Sequence, residues 1–179
     1  MRFGFLAPVA IFALISVVML YALFYLDPKE IPSELVNKSA PEFSLEPVPG
    51  YGEPLSTAHV KEGKLTLLNV FASWCVACLA EHPTLMDLSK KGQVDILGLN
   101  YKDKPEAAAR WLSRHGNPYK RTGMDLNGRV GIDFGVYGVP ETFIMGPDGT
   151  ILDKIIGPIT EKDLKNKILP RIQQYNTKG

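Results

Sequence analysis

Two cysteines three positions apart, Cys75 and Cys78, stand where a strand-length apolar run gives way to a helical pattern, and that junction restricts the fold more than any other feature of the chain. Residues 65–71 (Leu-Thr-Leu-Leu-Asn-Val-Phe) form one apolar run and residues 94–99 (Val-Asp-Ile-Leu-Gly-Leu) a second, with a helical stretch between them from about residue 75 to residue 91. Short continuous apolar runs read as strands buried on both faces. Strand, helix and strand in that order read as a parallel β-α-β unit. The i, i+3 spacing at a helix start brings the two sulfurs within bonding range. It also places Cys75 at the first turn, where unpaired backbone N–H groups and the helix dipole favour a thiolate. Cys75 is therefore expected to be the exposed nucleophile, and Cys78 the buried partner that resolves a mixed disulfide. Pro83, five residues after Cys78, is expected to kink this helix.

Pro105 opens another helical pattern over 106–115, with Ala107, Ala108, Trp111 and Leu112 as its buried side and Gly116 as its stop. A short helix is expected over 128–134. Residues 142–145 and 151–156 flank Gly146-Pro147-Asp148-Gly149, turn chemistry that reads as an antiparallel hairpin. Thr160 caps a last helix, with Glu161 and Asp163 in its first turn. Parallel strands followed by a hairpin and a terminal helix give an α/β fold, a central mixed sheet with helices on both faces.

Residues 3–26 carry no charge and would span about 36 Å as a helix, enough to cross a bilayer. A cleavable signal peptide is the alternative, but it predicts small residues at a cleavage site, whereas Tyr21, Phe24, Tyr25 and Leu26 lead into Asp27-Pro28. Residues 1–26 therefore read as an uncleaved transmembrane anchor, with Tyr21 and Tyr25 suited to the interface. Arg2 on one side and Lys29 on the other fix its orientation poorly. Residues 27–39, proline-containing and without a sustained period, read as a linker, and residues 40–179 as a single domain. The chain of 179 residues has 20 Lys+Arg against 19 Asp+Glu. Arg2 is the sole charge before Asp27, so the rest is formally neutral, which argues against a nucleic-acid surface.

Two cysteines cannot build a multi-bridge framework or supply four thiolates to a structural zinc site. A haem attachment site needs His directly after the second Cys, and Leu79 stands there. A metal site using His82 with the two thiols would draw three ligands from one stretch of helix. A purely structural disulfide would close only a short loop and restrict the unfolded chain little. Redox exchange is the favoured reading, with no metal and no cofactor beyond the cysteine pair.

The segments Asn-Val-Phe-Ala-Ser-Trp-Cys-Val-Ala-Cys-Leu-Ala-Glu-His-Pro (69–83), Gly-Leu-Asn-Tyr-Lys-Asp (98–103) and Gly-Val-Tyr-Gly-Val-Pro-Glu-Thr-Phe (135–143) resemble the membrane-tethered thioredoxin-like proteins of cytochrome c maturation, the DsbE/CcmG family. The likeness covers essentially the whole chain. It implies a thioredoxin-like fold and a thiol:disulfide oxidoreductase, acting as a reductant on the periplasmic side of the inner membrane. The targets implied are the haem-binding Cys-x-x-Cys of apocytochrome c or a mixed disulfide with a maturation protein, with electrons from a membrane thiol-disulfide transporter. It also implies a cis Val139–Pro140 peptide against the cysteines, where the Val139 backbone can pair with an extended substrate. Relative to the minimal thioredoxin plan, residues 105–130 add a helix and a strand over 119–124.

Thioredoxins carry a buried Asp where Asn69 stands here, and Glu81 and Glu141 are the candidates to replace it, both expected to face the thiols and, with Trp74, to tune them. A solvated surface charge is the alternative for each. His82 is expected to pack or cap, His59 and His115 to lie on the surface, and Tyr119 and Tyr137 to line either core or groove. Family members often have Pro before the second Cys, where this chain has Ala77. Neither Val76 nor Ala77 offers a side-chain hydrogen bond to a thiolate, which favours a reductant. Ala72, three residues before Cys75, replaces the Thr or Ser of a peroxidase. A reductase for another client and a copper-handling assembly factor remain the alternatives.

Overall fold

The computed structural model describes residues 6–25 and 35–176, which fall in two compact units, Met1–Pro32 and Ser33–Gly179. In the first, helix α1 (Leu6–Tyr25) has 20 residues, about 30 Å of rise, the thickness of a bilayer's hydrocarbon. Its stretch Ala7–Phe24 carries no charged residue, and its large apolar side chains, Phe12, Leu14 and Leu23 among them, are exposed. A helix of this kind can anchor a protein in a membrane. Arg2, Lys29 and the part of the expected linker before residue 35 lie outside the described residues.

The second unit opens with strands β1 (Ser44–Leu45) and β2 (Leu55–Ser56), paired antiparallel, and the short helix α2 (Thr57–Val60). Then follow β3 (Thr66–Phe71), α3 (Val76–Lys91), β4 (Asp95–Tyr101), α4 (Pro105–His115), β5 (Arg121–Asp125) and α5 (Arg129–Asp133). The chain ends with β6 (Glu141–Met145), β7 (Ile151–Ile156), α6 (Glu161–Asp163), a π-helical turn (Leu164–Ile168) and α7 (Leu169–Asn176). The main sheet has the order β5-β4-β3-β6-β7. β4 runs parallel to β3 and β5, whereas β6 runs antiparallel to β3 and β7. It is the expected mixed sheet.

Side chains alternate across a strand, so β3 supplies both layers. Leu67 and Phe71 pack with Leu85 and Leu88 of α3, Trp111 and Leu112 of α4, and Ile168 and Ile172 near the C-terminus. Leu68 and Val70 pack on the other face with Val130, Phe134 and Phe143. Asn69 shares the α3 face, directly opposite Thr142 of β6. Gly98 of β4 is required by a close approach. A Cβ there would come within 2.7 Å of the Tyr119 ring and 3.0 Å of Phe71, two rings stacked at 4.6 Å.

Several boundaries differ from the sequence reading for local reasons. β1, β2 and α2 escaped it because two-residue strands and a four-residue helix show no period. Helix α3 starts at Val76 with Cys75 as its N-cap, and it runs unbroken across Pro83. The terminal helix widens into the π turn just ahead of Pro170, whose ring and missing N–H disturb the ordinary ladder one turn back.

Candidate active site

The site grows from the carboxyl end of β3. Cys75 and Cys78 are joined, with sulfurs 2.11 Å and Cα atoms 5.3 Å apart. Cys75 Sγ accepts a hydrogen bond from the Cys78 N–H at 3.0 Å, the N-cap geometry in which an anionic sulfur is held by a free helix donor. Both residues are largely covered, Cys75 at 6% and Cys78 at 2% exposure, so Cys75 is less open than expected while bonded to its partner. Its neighbours Trp74 and Val76 form the exposed rim.

The loop ahead of Cys75 is held by the β4–α4 connection, a feature the sequence reading missed. Asp103 accepts from Ser73 N–H (2.6 Å), Ser73 Oγ (2.8 Å), Asn100 Nδ2 (3.2 Å) and Lys104 N–H (2.8 Å). Trp74 Nε1 donates to the Lys102 carbonyl at 3.1 Å. The available signal was a short acid just ahead of Pro105 at a helix start.

Glu81 lies one turn beyond Cys78 on the buried side of α3. Asn69 Nδ2 donates to its Oε1 at 2.8 Å, and Ile159 N–H donates to its Oε2 at 2.9 Å. The same Nδ2 donates to Thr142 Oγ1 at 3.0 Å, and Tyr119 OH donates to Asn69 Oδ1 at 2.8 Å. Of the two expected acids, Glu81 is the one that meets Asn69. Burial pushes its carboxyl up to about 7, against the opposing bonds from Ile159 and Asn69. Burial, with Glu81 nearby, holds the Tyr119 phenol well above its usual value.

A carboxyl that binds its proton more tightly in the folded than in the unfolded chain favours folding at low pH, and the advantage is lost as pH rises through about 7. Between pH 4 and pH 8.5 the Glu81 contribution is expected to fall by roughly 3 kcal/mol. Glu81→Gln is expected to lack this component. Chemical denaturation of both oxidised proteins at the two pH values measures it; identical pH dependence would contradict the assignment.

Glu141 is placed otherwise than expected. Although it follows the cis Val139–Pro140 bond, it pairs in register with Val70, whose side chain belongs to the face away from α3. There its carboxylate forms an ion pair with Lys154 Nζ at 2.9 Å and accepts from Tyr137 N–H at 3.0 Å. Lys154 also donates to the Gly135 carbonyl at 2.7 Å and sits over the Tyr137 ring at 4.4 Å. Glu141 therefore holds the 135–140 loop instead of turning to the thiols. Neither acid is the surface charge that was the alternative; each is 1% exposed.

The other sequence candidates resolve individually. Val139 packs partly against the cluster containing both cysteines, and with Tyr137, Pro140 and Ile156 it lines an apolar groove of about 260 Å³. Tyr119 is core, and Tyr137 is on the rim. His82 is buried, its Nε2 within 3.1 Å and 3.2 Å of the His115 and Gly116 carbonyls, and burial holds its imidazole below the ordinary value. His115 is half-buried with its ring 5.2 Å from that of Trp111, and His59 is half-buried as the capping partner of Ser56, so neither is a plain surface residue. Among the described residues no three His, Cys, Asp or Glu side chains are grouped to hold a metal ion.

A cysteine pair at a strand-to-helix junction of a five-stranded mixed sheet, with Val139 of the 135–140 loop packed against the same core cluster, defines a thioredoxin-like thiol:disulfide oxidoreductase. Comparison with known proteins agrees. Residues 35–168 match the Redoxin family. The chain is 46% identical over 147 residues to the thiol:disulfide interchange protein CycY of Rhizobium leguminosarum bv. viciae, covering 81% of this chain and 77% of that protein. It is 41% identical over 172 residues to the thiol:disulfide interchange protein DsbE of Pseudomonas fluorescens biotype C, covering 96% and 94%. A solved thiol-disulfide oxidoreductase from Bacteroides fragilis superposes with a TM-score of 0.64 at 25% identity, over 75% of this chain and 99% of that one. The chain belongs to the Redoxin family, among its DsbE-type thiol:disulfide interchange proteins.

Proposed function

We propose that the protein is a periplasmic disulfide reductase of cytochrome c biogenesis, tethered to the inner membrane by α1, with Cys75 as nucleophile and Cys78 as resolving thiol. The observation that carries this reading is Cys75 at the N-cap of α3, accepting from the Cys78 N–H, beside the cis Val139–Pro140 loop. The Cys75 thiolate attacks one sulfur of a substrate disulfide and forms a mixed disulfide. The other substrate sulfur leaves as a thiolate and takes a proton. Cys78 gives up its proton and attacks Cys75 Sγ, which closes the Cys75–Cys78 bond and frees the second substrate sulfur. The substrate gains two electrons and two protons; the dithiol loses them.

The pair itself carries the electrons, with no cofactor, and a membrane thiol-disulfide transporter restores the dithiol. Glu81, buried one turn from Cys78 with a proton affinity near neutrality, takes up the Cys78 proton during resolution. Trp74 forms the exposed rim beside the thiols. The Val139 backbone pairs with an extended substrate strand, and Pro140 keeps that edge open. The client is the Cys-x-x-Cys of apocytochrome c or a mixed disulfide with a maturation protein.

Reduction of an oxidised apocytochrome Cys-x-x-Cys-His peptide compared with insulin tests the client. Preference for the peptide is expected, by about tenfold or more in rate per unit concentration. Equal or faster reduction of insulin would favour a general reductase.

A further inference from the structure

We propose that a cleft between the disulfide loop and α4 is a subsite for a carboxylate side chain of the polypeptide being reduced, an inference that rests on the reductase reading. The cleft, about 180 Å³, is bounded by Ser73, two residues before Cys75, and by Arg110, Trp111, Arg114 and His115 of α4. Pockets for small-molecule ligands usually measure about 300–1,000 Å³. This one has room for a single side chain.

Its charge is unanswered within the fold. Arg110 and Arg114 stand one helical turn apart and both are exposed. Among the described residues neither has a carboxylate within ion-pairing distance, whereas Arg121 pairs with Glu53 and Arg129 with Asp133. Glu106 lies one turn ahead of Arg110, the order in which helical pairs are most favourable, yet no pair forms. Arg114 and His115 in the last turn suit the negative end of the helix dipole. Arg110 lies outside that turn and gains no such benefit, and two cations at i, i+4 repel.

Two planar guanidinium forks flanking one cleft match the geometry of a carboxylate. The wall between them is fixed. Trp111 is 8% exposed and packs edge-on against His82, with ring centroids 4.6 Å apart. The subsite is thus built before a substrate arrives, and lies on the side of the loop that delivers Cys75. An acidic residue within a few positions of the substrate's cysteine is the group it accepts.

The experiment uses the full-length reduced protein in neutral detergent and a set of disulfide peptides with Glu or Gln at each position up to four residues either side of the cysteines. At low salt, one or more Glu peptides should be reduced about five- to tenfold more efficiently than their Gln counterparts, and the preference should shrink as salt is raised. Arg110→Gln/Arg114→Gln should abolish the preference and leave the Gln-peptide rate unchanged. Arg110→Glu/Arg114→Glu should invert it. Equal rates for all Glu and Gln pairs, or a preference that survives the double substitution, would overturn the subsite. If even the Gln peptides are not reduced, the reductase reading itself fails. Calorimetric binding of the Cys→Ser peptides then tests the cleft alone: tighter binding of Glu forms that is lost in the double variant supports it, and equal binding refutes it.

Discussion

Serine at position 75 is expected to abolish disulfide reduction, by a factor on the order of a thousand or more, while serine at position 78 is expected to leave the first attack intact and accumulate a covalent adduct. The asymmetry follows from placement. Cys75 Sγ is the sulfur that receives the helix N–H at 3.0 Å, and a thiolate is the attacking species. An alcohol at the same place stays protonated at neutral pH and does not attack. Cys78, at 2% exposure, can reach Cys75 but not an outside disulfide, so its loss blocks only resolution. Neither substitution is expected to unfold the domain, because a disulfide closing so short a loop constrains the unfolded chain little. Mass spectrometry under non-reducing conditions should show a Cys78→Ser adduct with a Cys-x-x-Cys peptide that dithiothreitol releases. Turnover by Cys75→Ser, or no adduct with Cys78→Ser, would reverse the assigned roles.

Lys154→Met is expected to destabilise the domain by about 3–5 kcal/mol, the usual result of stranding one member of a buried ion pair. The Lys154 and Glu141 side chains are 2% and 1% exposed. With the ammonium gone, the Glu141 carboxylate keeps the Tyr137 N–H but loses its cation. The Gly135 carbonyl loses its donor as well. Lys154→Met/Glu141→Leu removes both charges and is expected to recover most of the loss. Denaturant unfolding of the wild type and the two variants measures this. A single-variant loss under 1 kcal/mol, or no recovery in the double, would contradict the buried pair. Since Lys154 and Glu141 hold residues 135 and 137, the single variant should also loosen the loop carrying Val139.

Much of this site was legible because it is local. The apolar run of β3, the helical pattern after it and the cysteine spacing lie within one stretch of chain, and the hairpin of β6 and β7 announced itself through Gly146-Pro147-Asp148-Gly149. The direction of each buried acid was not local. Glu81 and Glu141 both sit near functional motifs, but only the hydrogen bond from Asn69 places Glu81 at the α3 face of the sheet, and only the pairing of Glu141 with Val70 turns Glu141 to the other. Asp103 and Lys154 were passed over for the same reason. Their partners, Ser73 and Glu141, lie thirty and thirteen residues away in sequence and meet them through neighbouring strands. Pro83, a residue that propensity alone would set at a helix boundary, lies inside α3, which continues from Val76 to Lys91.

The scarcity of donors to the thiolate favours a donor of electrons over an acceptor. Among the described residues the Cys78 N–H alone reaches Cys75 Sγ, and the intervening Val76 and Ala77 add no side-chain donor that would further stabilise the reduced form. The equilibrium reduction potential of Cys75–Cys78 tests this most directly, measured against glutathione or dithiothreitol buffers with the full-length protein. A value near the thioredoxin figure of about −270 mV is expected. A value near the DsbA figure of about −120 mV, or a pair that does not titrate, would contradict the proposal that this protein delivers electrons to disulfides.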